Sequence, residues 1–161
     1  MRTVDRIRVR APLARAFAAA SAVERWPAIL PHYRWVRREE GNLVEMAAWR
    51  PFGALRYPTW WVSEMTVDRA AGEIRHRHVR GITRGMEVVW RLVEVGGASE
   101  GSVDVEIVHT WGGPRWPFVG RLLADFVIGP VFIHGIATRT LAGIKRAVET
   151  SDATWAPCAG S

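Results

Sequence analysis

The chain has 161 residues, 48% of them hydrophobic, a single cysteine and a formal charge of +6 at pH 7. That suits one soluble domain with a real core, and no run approaches the roughly 18 to 20 apolar residues of a spanning helix. Cys158, alone in the polar tail, excludes an internal disulfide or a cysteine metal cluster. The positive charge raises the question of nucleic acid or an anionic membrane surface. Its distribution argues against both: Arg2, Arg6, Arg8 and Arg10 alternate along one segment, and the other arginines are spread among acidic neighbours. No nucleic-acid partner and no stable membrane insertion are expected. The start MRTVDRIRVR is charged throughout and has no signal-peptide character, so the expected location is cytoplasmic.

In chain order, residues 2 to 10 read as a first strand, with Val4, Ile7 and Val9 among charges and one slip in the alternation. Pro12 opens a short alanine-rich helix from Leu13 to Ala20, and Ser21 is placed to cap a second, VERWPAIL, stopped by Pro31. Residues 33 to 40 and 43 to 50 then form a hairpin about Gly41 and Asn42, which tolerate positive φ. A loop is expected from Pro51 to Pro58. Four further strands follow, TWWVSEMTVD, EIRHRHV, MEVVWRLVEV and SVDVEIVHTW, separated by turn-rich segments such as Ala70 to Gly72 and Gly96 to Gly101.

From Trp116 to Thr150 the period becomes helical. Pro117 suits a first turn, FVGRLLADFVI is apolar at helical spacing, and Gly129-Pro130 imposes a kink or short break. Beyond it Ile133, Ala137, Thr140, Leu141, Ile144 and Val148 share one face, with Arg139, Lys145, Arg146 and Glu149 on the other. Burying about six such side chains at roughly 1.5 to 3 kcal/mol each holds the helix against a sheet. The expected class is therefore α+β: a curved antiparallel sheet of about seven strands around a long C-terminal helix, with two short helices after the first strand. One domain is expected over 1–150, followed by a tail at 151–161.

This order of elements, with VRAPLARAFAAASAVERWPAILPHYRWVR near the start and FVIGPVFIHGIATRTLAGIKRAVE near the end, resembles the START-like or helix-grip superfamily. Within it the chain is similar to the polyketide cyclase/dehydrase and lipid-transport group over about residues 4 to 149. The resemblance implies a ligand cavity between sheet and helix and carries no catalytic signature.

Strand alternation points to the same cavity on its own terms. Met86, Val88, Trp90 and Leu92 share a face; Val103, Val105 and Ile107 continue in phase to His109 and Trp111; Ile74 is in phase with His76 and His78. If these strands are neighbours, His76, His78, Trp90, His109 and Trp111 face the helix. Indoles mixed with imidazoles fill a plain core poorly and suit a pocket with an apolar wall and a few orienting polar groups. Trp61, in phase with Met65 and Val67, is the inward member of the Trp60-Trp61 pair, and Met46 reads as core. Arg50 is placed at the mouth, His134 at the flank of the helix beside the break, and Phe126 in the helix's first run completes the candidate ligand contacts. The competing reading of each histidine is a satisfied core residue.

Neither a helical His-x-x-x-His nor an inward carboxylate in phase with these histidines argues for a metal, and no nucleophile elbow, P-loop or dinucleotide fingerprint occurs. No cofactor or metal is expected. The chemistry left open is acid/base work by a histidine, with His109 and His78 as candidates, of the kind polyketide enolisation and dehydration require. The expected function is binding of a hydrophobic polyketide, lipid or isoprenoid-like molecule, with a cyclase/dehydrase and a non-catalytic lipid or quinone carrier as the two alternatives.

Overall fold

A computed structural model describes residues 1–52, 55–96, 101–113 and 133–150. Seven strands form one sheet: β1 (Arg2–Arg10), β2 (Tyr33–Arg38), β3 (Leu43–Phe52), β4 (Leu55–Asp68), β5 (Glu73–Gly81), β6 (Glu87–Val95) and β7 (Ser102–Thr110). Their order is β1-β7-β6-β5-β4-β3-β2, with every pairing antiparallel. Helix α1 (Leu13–Ser21), a 3₁₀ turn (Val23–Arg25) and the one-turn α2 (Trp26–Ile29) follow β1. The last described element is α3 (His134–Thr150), which packs on β1, α1 and α2. The 116–132 part of the expected helix, with Phe126 and the Gly129-Pro130 break, and the 151–161 tail lie outside the described residues.

The inner face of the sheet and the apolar stripe of α3 close on one core. Ala137, Thr140, Leu141, Ile144 and Val148 are buried as the helical spacing requires, against Val9, Val103, Val105 and Ile107 among others. Gly143 is buried too, because Leu30 at the end of α2 lies where a Cβ would stand. A helix without a side chain at that point lets α2 approach closely.

The first helical turns differ from expectation. Ser21 closes α1 and donates its hydroxyl to the Ala18 carbonyl at 3.3 Å, leaving no side-chain cap for the 3₁₀ turn. The hairpin loop is also longer than two residues, since β2 ends at Arg38 and the Glu39 amide donates to the Leu43 carbonyl at 2.9 Å. Gly41 carries the positive φ of 69°.

The expected loop from Pro51 to Pro58 is instead the stem of the β3–β4 hairpin, with Trp49 opposite Pro58, Arg50 opposite Tyr57 and Pro51 opposite Arg56. Pro58 is tolerated because of where its missing donor would point. The Trp49 amide donates to the His32 carbonyl, away from β4, so Trp49 and Pro58 form a non-hydrogen-bonded pair. Pro58 then directs its nitrogen away from β3, where β5 has already ended opposite Trp61.

The slip in β1 is resolved by Asp5. Thr3, Asp5, Ile7 and Val9 face inward and Val4 faces solvent, so the alternation is regular and one inward position is a carboxylate.

Candidate functional site

Between the inner sheet face and α3 lies a cavity of about 140 Å³. That is a volume of the size known to accept a single aromatic ring. The strand register places its imidazoles. Thr3, His109, Val88, His76 and Met65 form one row across β1, β7, β6, β5 and β4. With strands about 4.8 Å apart, His76 and His109 stand about 10 Å from each other across Val88, leaving room for a flat group between them. His78 is opposite Ser63 rather than the residue simple pairing would give, because Val79 is an extra residue bulged out of β5. The bulge keeps His78 and Trp61 on the same face, where their rings stack at 5.7 Å with 18° between planes.

His76, His78, Trp90, His109, Trp111, Trp61 and Arg50, all singled out from strand phase, line this cavity. His134 does not. Its ring is largely exposed and pairs through Nδ1 with Oδ1 of buried Asp5, because the start of α3 faces β1 at that point. Met46, read as core, lines the cavity as well.

Trp26, Tyr33, Thr59 and Thr140 are lining residues that strand phase did not supply. Trp26 joins the two ends of the aromatic wall, 5.6 Å from Trp90 and 5.1 Å from Tyr33, with its indole N–H on the Ala19 carbonyl at 3.2 Å. It sits on a helix of one turn, too short for a periodic signal. Tyr33 was hidden by an irregularity between Tyr33 and Trp35 that puts Tyr33 and Val36, three residues apart, on the same face. Thr59 is in phase with Trp61 and could have been found that way, although its hydroxyl is spent on the Ala48 carbonyl at 3.1 Å.

Polar groups here are few and several lack partners. His78 Nδ1 meets the Thr83 hydroxyl at 2.6 Å and His32 Nε2 meets Thr140 Oγ1 at 3.0 Å. His76 has only a long 3.5 Å contact from Nδ1 to Ser63 Oγ, and its Nε2 is buried without a partner, as is Nδ1 of His109. The Arg50 guanidinium lies over the Trp61 ring, 5.1 Å from its centroid, with a buried Nη1 that has no hydrogen-bond partner. No carboxylate is among the lining residues described. Buried polar groups are normally paired, so three orphaned nitrogens around one void mark a place where a ligand's oxygen would be held.

Burial sets the charge states. Desolvation lowers His76 to about 4, and desolvation followed by neighbouring cationic groups lowers His78 and His109 to about 3. All three imidazoles are therefore neutral at physiological pH. Desolvation also presses Arg50 below its ordinary value, against the opposing effect of Tyr33 and Tyr57, yet a guanidinium remains charged. Burial raises the Tyr33 phenol, which stays protonated. The site is thus one desolvated cation and three neutral imidazoles in an aromatic box. Among the described residues no three His, Cys, Asp or Glu side chains gather to hold a metal, and no helix is long and apolar enough to cross a membrane.

A curled antiparallel sheet gripping a C-terminal helix over such a cavity defines a START-like, helix-grip protein. Residues 9–128 match the family model described as polyketide cyclase / dehydrase and lipid transport, and the chain belongs to that family. Among solved structures, TTHA0849 from Thermus thermophilus aligns with a TM-score of 0.72 at 17% identity, covering 92% of this chain and 97% of that one. The Zhui aromatase/cyclase from Streptomyces sp. R1128 aligns at 0.69 and 16% identity, covering 92% and 93%. A START superfamily protein from Mycobacterium smegmatis aligns at 0.63 and 14% identity, covering 92% and 94%. At such identities these likenesses speak for the fold alone. No curated protein matches the sequence.

Proposed function

We propose that the cavity binds a hydrophobic molecule whose ring enters between His76 and His109 and whose carbonyl or enol oxygen is held by Arg50, and that the protein promotes enolisation and dehydration of such a ketone. The observation that carries this reading is the unpartnered guanidinium nitrogen of Arg50, buried beside Trp61 with no carboxylate among the lining residues described. A fixed cation in a water-poor site stabilises an oxyanion as it forms. In a ketone with a hydroxyl on its β-carbon, a neutral imidazole, His109 or His78, would take the α-proton and return it to that hydroxyl, which leaves as water as the α–β double bond forms. The family, described as polyketide cyclase / dehydrase and lipid transport, favours this chemistry.

The second reading is a carrier for a lipid or quinone, and one observation favours it. Imidazoles lowered to about 3 are weak bases and serve as well for hydrogen bonding alone.

Native mass spectrometry of the purified protein for a retained organic molecule tests binding. Deuterium exchange at the α-carbon of benzoylacetone, followed by NMR, separates the two readings. An enzyme accelerates exchange and loses that acceleration in His109→Phe or His78→Phe while still binding. A carrier shows no acceleration, and the same changes shift affinity only. Absence of both binding and exchange overturns the cavity reading altogether.

A further inference from the structure

We infer that Thr3, Asp5 and His109 hold one internal water, and that this water and the Asp5–His134 pair carry protons between the cavity and solvent. Three side-chain atoms buried without a hydrogen-bond partner lie at one place on two neighbouring strands: Thr3 Oγ1, Asp5 Oδ2 and His109 Nδ1. The register brings them together. Thr3 is directly opposite His109, and Asp5, two residues further along the inward face of β1, is opposite Ile107. Cβ atoms directly opposite are about 5 Å apart and diagonal ones about 7 Å, spans that a water between the side-chain ends bridges with hydrogen bonds of about 2.8 Å. Buried polar groups are normally paired, and a buried water typically makes about three hydrogen bonds. One water here pairs all three atoms.

The chain of polar groups continues outward from that point. Asp5 is 4% exposed, and its other oxygen, Oδ1, meets His134 Nδ1 and faces the Thr138 hydroxyl at 3.5 Å. The His134 side chain is 61% exposed. From the cavity wall to solvent the order is therefore His109, the water held with Thr3, the Asp5 carboxyl and His134. His76 has no such continuation. It stands in the same row of the sheet across Val88, its Nε2 is buried without a partner, and its Nδ1 has only the long contact to Ser63, itself fully buried. Two imidazoles of one cavity thus differ in their connection to bulk water.

Each transfer conserves atoms and charge. His109, protonated on Nε2 from the cavity side, gives its Nδ1 hydrogen to the water as the water passes one to Asp5 Oδ2. The imidazole becomes neutral and the carboxylate becomes an acid. A rotation of the carboxyl group carries that hydrogen to the His134 side, where a neutral Nδ1 takes it, and the Nε2 hydrogen of His134 goes to bulk water. Asp5 is then a carboxylate again and both imidazoles are neutral. Burial raises the Asp5 carboxyl above its ordinary value, which eases its passage through the acid form. With a ligand filling the cavity, this path resets the protonation of His109 from behind the ring. That use rests on the enolisation reading; the water and the path do not. Thr3, Asp5 and His134 act through His109 and are positioning residues.

The test is NMR of the ligand-free full chain, labelled with nitrogen-15 at histidine, measuring how fast the ring N–H of His109 and of His76 exchanges with water. His109→Phe and His76→Leu assign the two signals. The His109 hydrogen is expected to exchange at least tenfold faster than that of His76. Thr3→Val, which keeps the shape and removes the hydroxyl, Asp5→Asn, and His134→Phe, which closes the outer end with an apolar ring, should each slow it at least tenfold. Thr3→Ser should keep the original rate, and His76 should be unaffected by all four changes. Thermal melts confirm that each variant is folded. An unaltered His109 rate in any of the three blocking variants overturns the inference, as does an equal slowing of His76, which would mark a general change in packing. Deuterium exchange into benzoylacetone is read separately. A path seen by NMR without accelerated benzoylacetone exchange leaves the path standing and counts against the enolisation reading. Accelerated benzoylacetone exchange with no change at His109 in Thr3→Val leaves that reading standing and overturns the path.

Discussion

The guanidinium of Arg50 lies 5.1 Å from the centroid of the Trp61 ring, and inside the cavity it faces aromatic rings and hydroxyls but no described carboxylate. Tyr33 stands 6.2 Å from the same indole and, like Trp61, is buried. Cation–π attraction offsets part of the desolvation of Arg50, but a buried charge without a counter-ion costs free energy that folding must supply elsewhere. Such an arrangement is kept where it serves a ligand, and the two contributions can be separated by substitution.

Arg50→Met is expected to leave the melting temperature unchanged or to raise it, because an unpaired buried cation is replaced by a similar apolar volume. The same change should weaken an oxygen-bearing aromatic ligand such as benzoylacetone by about 10- to 100-fold, the value of a hydrogen bond to a charged group, about 1.5 to 3 kcal/mol. Calorimetric titration and thermal melts on the same preparation measure both. A destabilised Arg50→Met with unaltered affinity would make Arg50 structural.

The cavity histidines set the acid limb of stability. Their folded pKa values lie below the ordinary 6.5, at about 4 for His76 and about 3 for His78 and His109, so the folded protein binds fewer protons than the unfolded chain in that interval. The stability tied to their neutrality is thus complete above pH 6.5 and is lost as pH falls toward 3 to 4. For His76, 6% exposed, the depression corresponds to roughly 3 kcal/mol. Melting temperatures should decline steeply from about pH 6.5 to about 4, and His76→Leu should flatten the decline. Any α-proton exchange should likewise lack an inflection near 6.5 in kcat/KM; an inflection there would mean that the acting imidazole is more solvated than its position implies.

Much of this site was legible because β6, β7 and β5 as far as His78 keep a regular alternation where they cross the cavity. A two-residue period sends His76, Trp90, His109 and Trp111 to one side whatever the loops do. Legibility failed where the backbone departs from its period. The β2 irregularity concealed Tyr33, the single turn of α2 concealed Trp26, and two prolines made a strand stem read as a loop. At β1 the slip among Val4, Ile7 and Val9 arises because the inward position is held by Asp5 while Val4 faces solvent. That substitution of a carboxylate for an apolar residue also explains His134, whose partner could not be read from a helix flank.

Asp5 and His134 should behave as an energetically coupled pair that anchors the start of α3 to β1. Asp5 Oδ1 meets His134 Nδ1, and the Thr138 hydroxyl points to the same oxygen at 3.5 Å while donating to the His134 carbonyl at 2.9 Å. Burial raises the Asp5 carboxyl above its ordinary value, and His134 and Thr138 act to lower it, so the carboxylate sits where it is poorly solvated and depends on these partners. A raised folded pKa contributes stability that is present below pH 3.8 and lost as pH rises through the folded value. Asp5→Asn, which removes the charge and keeps the shape, is accordingly expected to cost little near pH 7. His134→Ala leaves a buried carboxylate without its neighbour and should cost about 1 to 2 kcal/mol, less than a fully buried pair because the His134 ring is 61% exposed. In the Asp5→Asn background the same His134→Ala change should cost nearly nothing. Urea unfolding of the four proteins in this cycle measures the coupling, and additive losses would show that the two side chains are neighbours without being partners.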